Sequence, residues 1–164
     1  MTSTNVGEGE RLVIELEQAR KKLLASIQGL TTKQMTQAGA VGEWTVKDVL
    51  SHVTSWEEFA LPDLHRLARG DTPALASIGN LESTNYDGPN SIIMALRRNL
   101  PLDQVLRELH LIHADFVEAV NRLPESALVE GQFGRGLVQI TAAHDNEHAD
   151  HILAWRTKDG LSSA

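Results

Sequence analysis

No cysteine occurs among the 164 residues. Disulfides, thiolate zinc sites and a cysteine nucleophile are therefore excluded, and a metal site could be built only from His, Asp and Glu. Also missing is any apolar run approaching the length of a membrane span, and the polar opening Met1 to Glu10 has neither a basic segment nor an apolar stretch. A cytoplasmic location is the expectation. Basic residues are in deficit: the formal net charge is −7 and the pI about 5.4, with the fifteen Lys and Arg scattered rather than gathered into a stripe. Duplex DNA or an anionic membrane demands the opposite balance, so neither nucleic acid nor membrane is an expected partner. Clean strand alternation is lacking as well.

What is present reads as helix. Hydrophobic residues at 41% and charged residues at 23% are ordinary globular proportions, so residues 1–164 are expected to form a single domain with frayed ends at about 1–8 and 160–164. Leu12, Leu16, Ala19, Leu23 and Ile27 keep one face of a first helix over Glu10 to Gln28, with Gly29 as its stop. Thr31 to Gly42 reads as a connection in which Thr31 and Gln34 can form a capping box. Thr45, with Asp48 three residues on, opens a second helix whose inward face would hold Val49, His52 or Val53, Trp56 and Phe59. Pro62 should kink or interrupt that helix and Gly70 end it. Asp71 to Asn90 reads as a long loop, and Asn90 or Ser91 as the cap of a short helix reaching Arg98. A third long helix is expected over Leu102 to Leu123, before Pro124, and a fourth from about Leu137 to Lys158.

The fourth segment is unusual. Leu137, Ile140, His144, His148, His151 and Trp155 recur in steps of three and four, so imidazoles stand where Leu or Ile would be expected. Buried imidazoles need partners for their ring nitrogens and repel one another when protonated, and a shared cation meets both demands. A His pair four apart is by itself more often a solvated face than a metal site, but the apolar stripe running through His144 and His148 argues for burial. A third ligand must come from elsewhere, and His52, between Val49 and Trp56, is the best placed. His151 remains open between a fourth ligand, a donor behind the ligands, a substrate contact and a satisfied core histidine. His113, near Leu109 and Phe116, is a candidate to line the same cavity. His65 and His110 read as surface residues, and Glu57 and Glu58 as a solvated pair with a lesser prospect as ligand or base. The three tryptophans read as core first, with Trp56 and Trp155 near enough to wall a pocket.

The run Gly42-Glu43-Trp44-Thr45-Val46-Lys47-Asp48-Val49-Leu50-Ser51-His52-Val53, followed by Trp56-Glu57-Glu58, resembles the second-helix motif of the DinB-like (DinB/YfiT-like) superfamily of metalloenzymes. Ala143-His144-Asp145-Asn146-Glu147-His148, with Ile152 and Trp155 after it, resembles the last-helix motif of the same family. The resemblance implies an all-α, antiparallel four-helix bundle in which His52, His144 and His148 bind a divalent metal, nickel or zinc. The middle of the chain, Asn90 to Asn99 followed by Leu100-Pro101-Leu102-Asp103-Gln104-Val105-Leu106, most resembles the ClbS and DfsB group, which includes a hydrolase that opens a cyclopropane in a genotoxin. Other relatives are thiol-dependent transferases and isomerases, so a low-molecular-weight thiol enters as a partner beside a small-molecule substrate.

A fold shared by several chemistries does not select one. The leading expectation is a metal-dependent transferase or hydrolase that detoxifies an electrophile, with His151 or His113 as candidate proton carriers. The competing one is a protein that sequesters a small molecule in a metal-anchored pocket. A closed, purely structural metal site would need a fourth ligand such as His151. Amphipathic bundles of this size often pair through one helix face, which points to a homodimer.

Overall fold

A computed structural model describes residues 7–78 and 86–161. The described chain is mostly helical, in the order α1 (Glu8–Ile27), α2 (Thr32–Thr36), β1 (Ala38–Val41), β2 (Trp44–Thr45), α3 (Val46–Ala68), α4 (Asp87–Arg97), α5 (Leu102–Asn121) and α6 (Phe133–Lys158). The long helices α1, α3, α5 and α6 carry the core. Helix α1 packs along α6, α3 packs along α5, and α3–α6 and α1–α5 contacts join the two pairs.

Local chemistry sets most of the boundaries. Both expected capping boxes form. Thr31 Oγ1 accepts the Gln34 N–H at 3.3 Å while Gln34 Oε1 accepts the Thr31 N–H at 2.8 Å. Thr45 Oγ1 accepts the Asp48 N–H at 3.0 Å, and Asp48 Oδ2 returns the bond to the Thr45 N–H at 3.0 Å. Each box satisfies donors that a helix start leaves orphaned. Helix α1 stops before Gly29, whose φ of +78° is the left-handed conformation that favours glycine at a helix end.

Several expectations are corrected. Pro62 does not interrupt α3, which runs unbroken through it. Pro62 and Glu58, four residues earlier, are both exposed, so the carbonyl that loses its helical partner lies toward water. Phe59 points outward, 50% exposed, rather than into the core. The connection before α3 contains an antiparallel hairpin that pairs Ala38 with Thr45 and Val41 with Trp44. Strands of four and two residues are too short to display alternation in the sequence. Helix α4 begins at Asp87 rather than at Asn90. The long loop before it holds a 3-10 turn at Leu75–Ile78, and its remainder, 79–85, lies outside the described residues. Buried Asp63 ties that loop to α3 by accepting the N–H groups of Ala74 and Leu75, both at 2.7 Å.

Helix α6 starts at Phe133, one turn before expected, and takes in Gly134 and Gly136. Gly134 is a packing residue: a Cβ there would stand 2.7 Å from the Ala127 carbonyl oxygen. The glycine therefore admits a close helix approach where the sequence reads as loop. At the termini, Glu8 already belongs to α1, and Leu161 is held by its N–H to the Arg156 carbonyl at 2.8 Å. Residues 1–6 and 162–164, where frayed ends are expected, lie outside the described residues.

The core divides into two apolar clusters. One gathers Leu12, Leu16, Ala60, Leu64, Phe116 and Val138. The other gathers Leu23, Val49, Val53, Leu109, Ala149 and Ile152. Along each long helix a buried polar residue falls between them: Arg20 after Leu16 and before Leu23, Glu57 between Val53 and Ala60, His113 between Leu109 and Phe116, and Asp145 between Ala142 and Ala149. The spacing of three and four keeps these four residues on the inward faces.

Candidate metal centre

Helix α3 presents His52 and helix α6 presents His144 and His148. Their Nε2 atoms converge: His144 Nε2 lies 2.8 Å from His52 Nε2 and 2.9 Å from His148 Nε2. One ligand atom from each of the three residues falls within 4.8 Å of the others, the one group of this kind among the described residues. His52 and His148 are 4% and 6% exposed, and His144 is half-buried.

The donor set fits a cation. A neutral imidazole nitrogen carries either one proton or one in-plane lone pair, so His144 Nε2 cannot make two well-aligned hydrogen bonds to its neighbours at once. Three lone pairs turned to one ion at about 2.0–2.1 Å remove the conflict. With Nε2 so engaged, Nδ1 carries the proton, yet Nδ1 of both His52 and His148 is buried without a hydrogen-bond partner. The acceptor that commonly orients a metal-bound histidine is missing at these two. Aromatic packing holds the rings instead. Trp44, delivered by the hairpin, lies 5.1 Å from the His52 ring, Trp56 meets it edge-on at 6.3 Å, and His151 lies 5.7 Å from His148.

Burial pushes all three rings down to about 3, reinforced by the charge of His148 on His52, of His52 and Arg20 on His144, and of His144 and His151 on His148. They are neutral and ready to ligate at neutral pH. Below the ordinary value of 6.5 the unfolded chain takes up protons that the folded cluster refuses. Stability is therefore present in full above 6.5 and lost as the pH falls toward about 3. Asp145, raised to about 6 mainly by burial, works the other way between its ordinary 3.8 and about 6, but it is one group against three. Urea titrations of metal-free protein should show a lower midpoint at about pH 5 than at about pH 7.5. A flat profile would place the three rings in water.

Beside the cluster lies the polar layer. Arg20 Nε donates to Asp145 Oδ2 at 2.8 Å and Nη2 to Asp145 Oδ1 at 3.3 Å, while Nη2 also pairs with Glu57 Oε1 at 2.9 Å. His113 Nδ1 shares Glu57 Oε1 at 2.7 Å. Glu57 is thus 1% exposed and internally paired, a correction to its reading as a solvated face, whereas Glu58 is exposed and pairs with Arg97 at 3.3 Å.

The structure brings His52, His144 and His148 together and puts His113 against Glu57. His151 is exposed at the rim, and His65 and His110 are exposed as expected. The proposed stripe on the last helix is corrected in part: Leu137, His148 and Trp155 are buried, but Ile140 is 37% exposed and His151 is exposed, and Val138, Ala142, Asp145, Ala149 and Ile152 also face inward. Small residues and an aspartate carry little hydrophobic signal, so the spacing does not reveal that part of the inward face. Arg20 and Asp145 were missed. A clue was present for Arg20, which holds a core-spaced position between Leu16 and Leu23.

A mostly helical protein with a buried three-histidine cluster is the class that fold and site define. The chain belongs to the DinB superfamily, whose family model matches residues 15–152. An uncharacterised protein from Escherichia coli UTI89 shares the fold, with a TM-score of 0.75 over 98% of each chain at 15% identity. No curated protein matches the chain. No helix among the described residues is long and apolar enough to cross a membrane.

Proposed function

We propose that the chain is an antiparallel four-helix bundle whose His52, His144 and His148 hold a divalent ion, nickel or zinc, and that it is an enzyme acting on a small electrophile. The convergence of three neutral, buried Nε2 atoms carries this reading. A divalent ion held by three imidazoles keeps a coordination position open and makes a thiol or water bound there easier to deprotonate. Trp44 and Trp56 exclude water from one side of His52, and exposed His151 stands where it can pass a proton between the rim and solvent. The reaction we favour is transfer of a low-molecular-weight thiol: a C–S bond forms, the strained or leaving bond of the electrophile breaks, and the released oxygen or leaving group takes the thiol proton.

The test uses 2-mercaptoethanol and a small epoxide with zinc- or nickel-loaded protein, following thiol consumption. Turnover that disappears on chelation and in His144→Ala is the expected result. Saturable binding of the epoxide with no consumption of thiol would replace the enzyme reading with sequestration of a small molecule.

A further inference from the structure

A groove of about 470 Å³ is lined by Trp44, Asn90, Ser91, Met94, Ala95 and Arg98, and the Trp44 ring also packs on His52. Its volume falls in the range of sites for small organic molecules. The walls differ in chemistry. Trp44, Met94 and Ala95 offer apolar surface, while Arg98 supplies a guanidinium. Asn90 Oδ1 accepts the Trp56 indole N–H at 3.2 Å, which leaves the Asn90 amide N–H groups as further donors and connects the groove to the second tryptophan packed on His52.

Two consecutive arginines behave differently. Arg97 is fixed by Glu108 at 2.7 Å and by Glu58 at 3.3 Å. Arg98 makes no side-chain hydrogen bond or ion pair among the described residues, although its backbone is held firmly, with the Lys47 ammonium donating to the carbonyls of Arg98 and Leu100. An unpaired guanidinium on an anchored backbone beside an apolar wall matches a planar anion with an apolar body. Asp87 also lines the groove and is already engaged in an interaction of its own.

We propose that this groove binds a small organic carboxylic acid, with the carboxylate on Arg98 and the apolar body against Trp44, Met94 and Ala95. This deepens the reading above, because the acid would be the substrate presented past Trp44 to the histidine cluster. The groove residues are none of the three histidines, so the two ideas can fail separately.

The probes are 3-phenylpropionate and its neutral primary amide, titrated into zinc-loaded and metal-free protein while the three indole N–H signals are followed by NMR. The acid is expected to bind about tenfold tighter than the amide in both forms, the scale of one exposed charge-assisted pair. It should shift Trp44 and Trp56 and leave buried Trp155 unmoved. Arg98→Met should erase the preference, and because Arg98 is exposed the variant should fold normally. Arg97→Met removes the same charge from the same helix and should keep the preference, which separates a specific contact from general electrostatics. Equal binding of acid and amide, a preference that survives Arg98→Met, or no shift of Trp44 and Trp56 up to about 10 mM would each overturn the proposal. A preference seen only with zinc present would also overturn it, by assigning the carboxylate to the metal. Failure of the protein to take up zinc, with acid selectivity intact in the metal-free form, would leave the groove standing and remove the metalloenzyme reading.

Discussion

Arg20→Met is expected to destabilise the protein by about 3–5 kcal/mol, the cost of removing one partner from a buried charged network. Arg20 is 3% exposed and is the cation facing Asp145 and Glu57, themselves 0% and 1% exposed. Methionine keeps most of the side-chain volume, so the loss would report charge rather than a cavity. Without the guanidinium, Asp145 is held still further above its ordinary range and must protonate on folding. A carboxyl with a raised folded value contributes less stability as the pH rises, so the deficit should be larger at about pH 8 than at about pH 5. Urea unfolding of both proteins at the two pH values measures it. Replacing all three charges, Arg20→Met with Glu57→Gln and Asp145→Asn, should recover part of the loss, since no buried charge is then left alone. A deficit below about 1 kcal/mol for the single variant would mean that water reaches the layer.

Zinc or nickel is expected to bind the untagged, metal-free protein at about one equivalent and to stabilise it by about 2.7 kcal/mol at a free concentration a hundredfold above Kd. For a chain of this length that raises the melting temperature by roughly 5–10 °C. His144→Ala should abolish both effects, because His144 Nε2 is the atom within 2.8 and 2.9 Å of the other two. The gain should persist well below neutral pH, because burial keeps the three rings neutral, and shrink only as the pH approaches about 3, where protons compete for the ligand nitrogens. Elemental analysis and thermal melts on the two proteins decide it. No uptake by the wild type would leave a histidine-lined pocket and remove the metal-dependent chemistry proposed for it.

The polar layer and the histidine cluster are mechanically related. Asp145 follows His144 directly on α6, and Glu57 stands on α3 five residues after His52, so Arg20 ties together the two helices that supply the ligands. A shift of either helix would separate Nε2 atoms that must meet to within about an ångström of a common point. Buried ion pairs contribute little net stability but penalise other arrangements, and that suits a site whose rings lack hydrogen-bonded acceptors behind Nδ1.

The sequence by itself determined the elements whose causes are local. Thr31 with Gln34 and Thr45 with Asp48 declare helix starts, Gly29 declares a stop, and the spacing of Leu12, Leu16, Ala19 and Leu23 marks an inward face, because each depends on residues within about a turn. His144 and His148 are legible as neighbours for the same reason, and the absence of cysteine leaves nitrogen and oxygen as the only ligand atoms. Tertiary structure alone decided the rest. It brought His52 to within 2.8 Å of a residue 92 positions away. It turned Glu57 inward and Glu58 outward, rotated Ile140 and His151 to the surface, carried α3 through Pro62, and placed Gly134 where a Cβ would have clashed with the Ala127 carbonyl. Spacing fixes which residues share a helical face, but a helix with small and polar residues such as Ala142, Asp145 and Ala149 on its inner side leaves its rotation to be set by the charges and backbones packed against it.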